Sequence, residues 1–226
     1  MFNHEVDFSL MDHSFILTEL ALSGYPKLAA DTILNRETCG KLEETVGTAI
    51  QRLHLEFLKS PMSRPKIYDV LIETALNLIG VERIRAGFSD DESTATLEKI
   101  VQALKVLEAI EREKEGKAQV ARDVIHETID EMKHVMLGNS MVGKMAKDIE
   151  KELKDDNLLE SFISTMEKTI KNNVYYQIVT KKMSKLGNDS ATGLRMVRHL
   201  GAVQVSSNPV IAARAYEEFP TLWEEF

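Results

Sequence analysis

The chain has 226 residues, of which 43% are hydrophobic and 28% are charged, and its formal net charge is -8. This composition is typical of a globular protein with a hydrophobic core, and the acidic balance argues against partners such as nucleic acid or an anionic membrane. The single cysteine, Cys39, excludes an internal disulfide, and together with an amino terminus unlike a signal peptide it predicts a cytoplasmic protein.

Helical patterns begin near the amino terminus and follow one another up to Gly187. In residues 39–58, apolar side chains recur at intervals of three and four, which places them on one face of a helix. A second amphipathic pattern follows Pro65, since proline suits the first turn of a helix. The clearest apolar stripe then consists of Leu97, Ile100, Val101, Leu104, Leu107 and Ile110. Gly116 either ends that helix or only weakens it.

Three more helical patterns complete this region. They cover residues 120–136, the short and highly charged residues 144–153, and a last long helix from about residue 157 to Gly187. Helices that each carry one apolar stripe must pack against one another, so an antiparallel bundle is the expected arrangement. The sequence therefore predicts a helical bundle domain over residues 1–186.

The last forty or so residues have a different pattern. A short helical pattern at residues 193–199 ends at Gly201, and residues 202–205 form an apolar, β-prone run. A polar corner follows, and a second helical pattern begins at Val210. This order is that of a β/α fold, in which polar groups lie at the carboxyl end of a strand. Because one strand cannot close a sheet, we expect residues 187–226 to be an incomplete β/α segment.

This segment resembles the transaldolase family, whose (β/α)8 barrels carry a Thr-Thr-Asn-Pro-Ser-(Leu/Ile)-Ile type motif at the end of an early strand. The run Ser206-Ser207-Asn208-Pro209-Val210-Ile211 matches this motif with conservative changes. Asp189 lies close to the expected distance upstream, where the family has an acidic strand. The resemblance covers about the last sixth of the chain. It implies a fold in which the all-α helical bundle is followed by a short β/α element resembling the start of a (β/α)8 barrel.

The resemblance also implies a chemistry. Transaldolases move a three-carbon dihydroxyacetone unit between sugar phosphates through a lysine imine, with no metal and no cofactor. In that family an aspartate from the first strand assists proton transfer, which makes Asp189 the catalytic candidate. Ser206, Ser207 and Asn208 are the substrate-binding candidates, because their hydroxyl and carboxamide groups suit a sugar's hydroxyls and carbonyl.

Two departures from the family limit this interpretation. Asp189 follows a Lys-rich helix end in the sequence instead of an apolar strand. The later strands, which in transaldolases carry the Schiff-base lysine and a proton-relaying glutamate, are absent. We therefore expect the chain to be the amino-terminal part of a transaldolase-like enzyme and to be inactive by itself.

A simpler interpretation of the tail is also open. Ser206-Ser207-Asn208 can be an ordinary helix cap followed by proline, and Asp189 can cap the helix that begins a few residues later. The chain is then a non-catalytic helical interaction or assembly module. Either interpretation allows a homo-oligomer.

A metal site is not expected. Glu131 and His134 form a Glu-x-x-His unit of the kind that di-iron bundles use twice, but the sequence holds one copy. The neighbouring apolar residues Val124, Ile125 and Ile129 already define the buried face of this helix, so the acidic and histidine side chains are predicted to face water.

Overall fold

The computed structural model describes residues 12–135, 140–181, 185–188, 193–205 and 209–218. These residues are mainly helical, which confirms the predicted all-α class. The α-helices in chain order are α1 (His13–Leu22), α2 (Pro26–Asp31), α3 (Leu42–Lys59), α4 (Arg64–Ile79), α5 (Glu82–Ala86), α6 (Asp90–Glu115), α7 (Gln119–His134), α8 (Met141–Glu152), α9 (Leu158–Asn172), α10 (Val174–Thr180), α11 (Leu194–Val197) and α12 (Pro209–Glu218). Two short strands, β1 (Leu186–Asn188) and β2 (Ala202–Val205), pair in parallel.

Helix α4 lies at the centre of the bundle and packs against α2, α6, α7 and α9. Every residue from 70 to 79 is buried, including the polar residues Glu73, Thr74 and Asn77. A helix that is covered on all sides needs apolar residues around its whole circumference, and α4 supplies them. Its buried polar side chains then need partners, and Glu73 and Asn77 find them on other elements.

Helix α6 has clear start and stop signals. The Ser89 hydroxyl accepts a hydrogen bond from the Glu92 backbone N–H at 3.1 Å, as an N-cap residue does. At the other end, Gly116 has a φ of 75°, the left-handed conformation that favours glycine and ends a helix. Gly116 therefore ends α6, whereas the sequence alone allowed this glycine either to end the helix or only to weaken it.

Two buried glutamates of α6 cap the helices that follow. The Glu111 carboxylate accepts hydrogen bonds from the N–H groups of Val120 and Ala121, at 2.6 and 3.3 Å, in the first turn of α7. Glu108 does the same for the first two N–H groups of α9, at 3.1 and 3.0 Å. Helix N-termini carry unpaired donors and partial positive charge, so a carboxylate stabilises each of them.

The single long helix predicted from residue 157 to Gly187 is wrong. Helix α9 stops at Asn172. The backbone of Asn173 is extended, and the Asn173 side chain accepts a hydrogen bond from the Tyr175 N–H at 2.9 Å. Asparagine offers the backbone such local bonds and so breaks a helix that the apolar spacing alone would continue. Helix α10 is short, and Gly187 lies in β1.

The predicted strand at residues 202–205 is confirmed as β2, and the structure adds β1 beside it. The pairing brings Leu186 opposite Ala202 and Asn188 opposite Val205, with an irregularity after Leu186. Helix α11 lies between the two strands in sequence. Two statements stay predictions: that this pair of strands begins a barrel, and that a domain boundary lies between residues 186 and 187.

Residues 193–202 belong to the packed part of the molecule. Met196 and Leu200 lie in the same hydrophobic core as the helices, and Ala202 is buried. None of the helices in the described ranges is both long enough and apolar enough to cross a membrane.

Candidate functional site

Arg195 lies at the centre of a charged cluster between α11 and the helical bundle. Its Nε donates to Glu73 Oε1 at 2.6 Å, and its Nη2 donates to Asp69 Oδ1 at 3.2 Å. Its Nη1 donates to the carboxylate of Glu131 on α7. One guanidinium therefore binds three carboxylates from two different helices, which joins residues separated by 64 to 126 positions.

The local structure of α4 explains this arrangement. Asp69 and Glu73 are four residues apart, so both side chains lie on one face of the helix. The Glu73 side chain is fully buried, and a buried carboxylate is tolerated only with a charged or hydrogen-bonding partner. Burial disfavours the charged form of Arg195. The three nearby carboxylates, of Glu73, Glu131 and Asp69, outweigh burial and raise the pKa of the Arg195 guanidinium above the ordinary value.

Asp69 is the most unusual acid of the cluster. Burial raises the pKa of its carboxyl group to about 6. This pKa is the net result of opposing effects, in which burial is the largest cause, the positive charges of Arg195 and Lys27 act to lower it, and the negative charges of Glu73 and Glu131 act to raise it. A carboxyl group with this pKa can gain and lose a proton near neutral pH, which is typical of acids in functional sites.

The cluster opens into a cleft of about 540 Å³. Asp69, Glu131 and Arg195 line it, and its other walls include Tyr25 and Lys27 at the start of α2, together with Lys66 and Glu127. The Lys27 ammonium lies 3.8 Å from the Glu131 carboxylate. The cleft is therefore lined by both acidic and basic groups, and its volume is within the usual range for small-molecule sites.

A second group of polar contacts lies one turn further along the chain. Arg198 binds Asp31 of α2, and the fully buried His199 has its Nδ1 atom 3.1 Å from Glu82 Oε2. The Val81 N–H donates to the His199 carbonyl at 3.1 Å. These contacts, with those of Arg195, hold residues 193–202 against α2, α4, α5 and α7.

The site residues that we predicted from the sequence all lie outside the described residues; they are Asp189, Ser206, Ser207 and Asn208. The structure does describe the strands that precede them, and it corrects one sequence expectation. Asp189 directly follows strand β1, not a Lys-rich helix end. Ser206 directly follows β2 in the same way.

Sequence reasoning missed the Arg195 cluster. A usable signal was present at Glu73, an acid between Ile72 and the apolar run that continues through Ala75 and Leu76. Such an acid inside a buried helix demands a basic partner. The position of that partner, in the short helix α11, is not encoded in any local spacing.

Among the described residues, no three histidine, cysteine, aspartate or glutamate side chains are grouped so that they could hold a metal ion. Glu131, from the Glu-x-x-His unit, binds Arg195 instead. Comparisons of the chain with models of protein families, with curated proteins and with solved structures give no match.

Proposed function

We propose that β1 and β2 are the first two strands of a transaldolase-like barrel, and that the chain is the amino-terminal part of a sugar-phosphate aldolase or transferase. One observation carries this proposal. The two strands are parallel neighbours, separated in sequence by the short helix α11, and their last residues, Asn188 and Val205, are paired. A strand, a helix and a parallel neighbouring strand form the repeating unit of a β/α barrel.

The pairing supports the same assignment of site residues. In parallel sheets the carboxyl ends of neighbouring strands meet at one edge, and active sites of β/α folds lie at that edge. Asp189 and Ser206 are the next residues after the paired ends of β1 and β2. The proposal assigns proton transfer to Asp189 and places Ser206, Ser207 and Asn208 around the sugar phosphate.

The chemistry of the proposal needs a lysine on a later strand. Its amine condenses with the ketose carbonyl and releases water to form an imine. The C3–C4 bond of the sugar then breaks as the C4 hydroxyl loses its proton, which releases an aldose phosphate and leaves the three-carbon unit on the lysine as an enamine. Attack of this enamine on the carbonyl of an aldose acceptor, followed by hydrolysis of the new imine, completes the transfer. Among the described residues the sheet has two strands, and a barrel requires further strands. The proposal therefore predicts that residues 1–226 alone do not form the imine.

Borohydride trapping tests the proposal. Borohydride and a ketose phosphate such as fructose 6-phosphate are added to the 226-residue chain and to a product that continues through the downstream reading frame. We expect mass spectrometry to locate one modified lysine beyond residue 226 and none within it. A stop codon directly after Phe226, or a longer product that stays unmodified, would contradict the proposal.

A pair of asparagine variants tests the assigned site in the longer product. Asn208→Ala is expected to lower kcat/KM by at least about tenfold, because the lost carboxamide leaves a substrate polar group without its partner. Asn172→Ala removes the same side chain from an exposed position at the end of α9 and should leave kcat/KM unchanged. Equal effects of the two variants would remove Asn208 from the site.

The alternative function, a helical interaction or assembly module, is favoured by exposed apolar side chains near the end of α3. Leu55 and Leu58 are 58% and 42% exposed, and Met62 in the following turn is 87% exposed. Leu55 and Leu58 are three residues apart and share a helix face. If this face mediates assembly, Leu55→Glu should convert an oligomer to a monomer in light scattering; a wild-type chain that is already monomeric would contradict self-assembly.

A further inference from the structure

The segment that contains α11 has the opposite charge to the surface that holds it. We call residues 193–202 the α11 strap, because they contain α11 and lead into β2. The strap contains two arginines, one histidine and no acidic residue. Opposite charges meet at both arginines, because five carboxylates of the bundle lie against them: Asp69, Glu73 and Glu131 at Arg195, and Asp31 and Glu82 at Arg198.

The basic side chains of the bundle at this contact offset its carboxylates only in part. The Lys27 ammonium lies 3.8 Å from the Glu131 carboxylate. The Lys66 ammonium donates to a carbonyl oxygen at the end of α1, at 2.8 Å. Arg85 Nη2 donates to the strap itself, at the Gly201 carbonyl oxygen, also at 2.8 Å. Since these three cations face five carboxylates, the bundle surface under the strap is negative and attracts the positive strap.

Few apolar side chains hold the strap. Met196 and Leu200 are buried in the hydrophobic core, whereas Leu194 is 36% exposed and Val197 is only partly buried. The other buried residues of the strap are small or polar. Helix α11 has four residues, and a helix of that length is not stable without its surroundings. The ionic contacts are therefore a large part of what keeps the strap in place.

We propose that the α11 strap is an electrostatic latch, which detaches from the helical bundle as a unit when the attraction between its arginines and the bundle carboxylates is weakened, while the bundle stays folded. Because the strap leads directly into β2, its detachment uncouples the paired strands from the bundle. The inference goes beyond the proposed function and does not depend on it, since it concerns how the strap is held, whatever chemistry the strands serve.

Detachment of the strap also opens two cavities. Arg195 lines the charged cleft of about 540 Å³. Val197 and Leu200 line a second cavity of about 240 Å³, whose walls are mainly apolar and include Leu186 of β1. The latch therefore controls access to both cavities.

The direction of a salt effect follows from these charges. Salt screens the attraction between opposite charges, and raising its concentration from about 0.1 M to about 1 M shortens the screening distance from about 10 Å to about 3 Å. The side chains of Asp69, Glu131 and Asp31 are 25%, 40% and 36% exposed, so ions in the solvent reach them. Salt should therefore weaken the docking of the strap.

Hydrogen exchange measured by mass spectrometry tests this inference on the 226-residue chain. Protection factors near neutral pH, corrected for intrinsic exchange rates, are compared at about 0.1 M and about 1 M sodium chloride. We expect the protection of peptides from the strap to fall at least about threefold at the higher salt concentration. Peptides from α4 serve as the internal reference, and their protection should change less than about 1.5-fold.

A pair of glutamate variants on α7 tests the ionic contact itself. Glu131→Gln removes one carboxylate that binds Arg195, and the 40% exposure of this side chain makes the change compatible with folding. At low salt it should lower the protection of the strap about threefold and should reduce the salt dependence. Glu127→Gln is the matched control, because Glu127 is exposed, lies one turn earlier and is not one of the carboxylates that bind Arg195. The control should change the protection less than about twofold.

Three results would overturn the proposal. The first is a wild-type strap whose protection does not depend on salt. The second is protection that falls equally in the strap and in α4, because the strap then opens only when the bundle unfolds. The third is equal protection of the strap in Glu131→Gln and Glu127→Gln.

Discussion

Arg198 and Asp31, 167 positions apart, form an ion pair with two parallel contacts of 2.9 Å. Arg198 Nη2 also donates to Asn77 Oδ1 at 2.7 Å, and the Asn77 amide donates to Asp31 Oδ1 at 3.0 Å. The three side chains therefore form a closed network that joins α2, α4 and the turn after α11. A paired arginine and carboxylate of this geometry is stronger and more directional than a single ionic contact.

Replacing Arg198 tests how much this network stabilises the fold. Arg198→Gln should lower the free energy of unfolding by about 2–3 kcal/mol, because two charge-assisted hydrogen bonds are lost and Asp31 keeps its charge. The change is measured by urea denaturation at neutral pH. Arg122→Gln, which breaks an exposed pair with Asp155, should cost less than about 1 kcal/mol. Similar losses for both variants would show that the network has no special strength.

Gly201 offers a test of how closely the segment packs. Its φ is 108°, and an added Cβ would lie 2.7–2.9 Å from side-chain atoms of Val179. Gly201→Ala should therefore cost about 2–5 kcal/mol, since it combines a disfavoured backbone conformation with overpacking. Gly116→Ala is the matched control, because its φ is 75° and nothing lies within 4 Å of the added methyl. The control should cost about 1–2 kcal/mol in the same denaturation experiment.

Gly201→Ala also separates local from global effects. If the segment is held as tightly as its contacts indicate, the variant should raise hydrogen exchange in residues 193–202 more than in α4. A Gly201→Ala protein with unchanged stability and unchanged exchange would contradict the close packing against Val179.

The helices were predictable because most of them bury one face. The three-and-four spacing in α3, α6 and α7 follows directly from packing one side of a helix against neighbours. Helix α4 was predicted as a helix, but its complete burial was not, because the spacing of its apolar residues does not state how many elements surround it. The acid Glu73, which is buried within α4, indicated a charged partner on another element, but the apolar spacing does not take such a residue into account.

The candidate site was less predictable, for two physical reasons. Strand β1 has the sequence Leu-Gly-Asn, which has little intrinsic preference for a strand and takes this form through pairing with β2. The contacts of Arg195 join residues separated by 64 to 126 positions, and no local pattern encodes such pairs. The substrate-binding role of Ser206, Ser207 and Asn208, which was inferred from the sequence motif, remains a prediction.

The buried glutamate Glu111 provides a test of capping. It accepts hydrogen bonds from the Tyr68 hydroxyl at 2.9 Å and from two N–H groups of α7. Glu111→Gln should lower the free energy of unfolding by about 1.5–3 kcal/mol, because the amide has less charge and turns one acceptor into a donor. Glu98→Gln makes the same chemical change at an exposed position and should stay within about 0.5 kcal/mol of the wild type. Equal stabilities of the two variants would mean that the Glu111 cap contributes nothing measurable.

Glu82 is expected to make the stability of the folded chain depend on pH. Burial acts to raise the pKa of its carboxyl group, but His199 and Arg198 outweigh burial and hold the pKa below the ordinary value of 4.5. The ionised form therefore stabilises the folded chain above pH 4.5, and this contribution is lost as the pH falls through the lowered pKa. Glu82→Gln should accordingly be less stable than the wild type near neutral pH, with a difference that shrinks below about pH 4. Urea denaturation of both proteins across this range measures it, and a difference that grows on acidification would show that His199 and Arg198 do not stabilise the carboxylate.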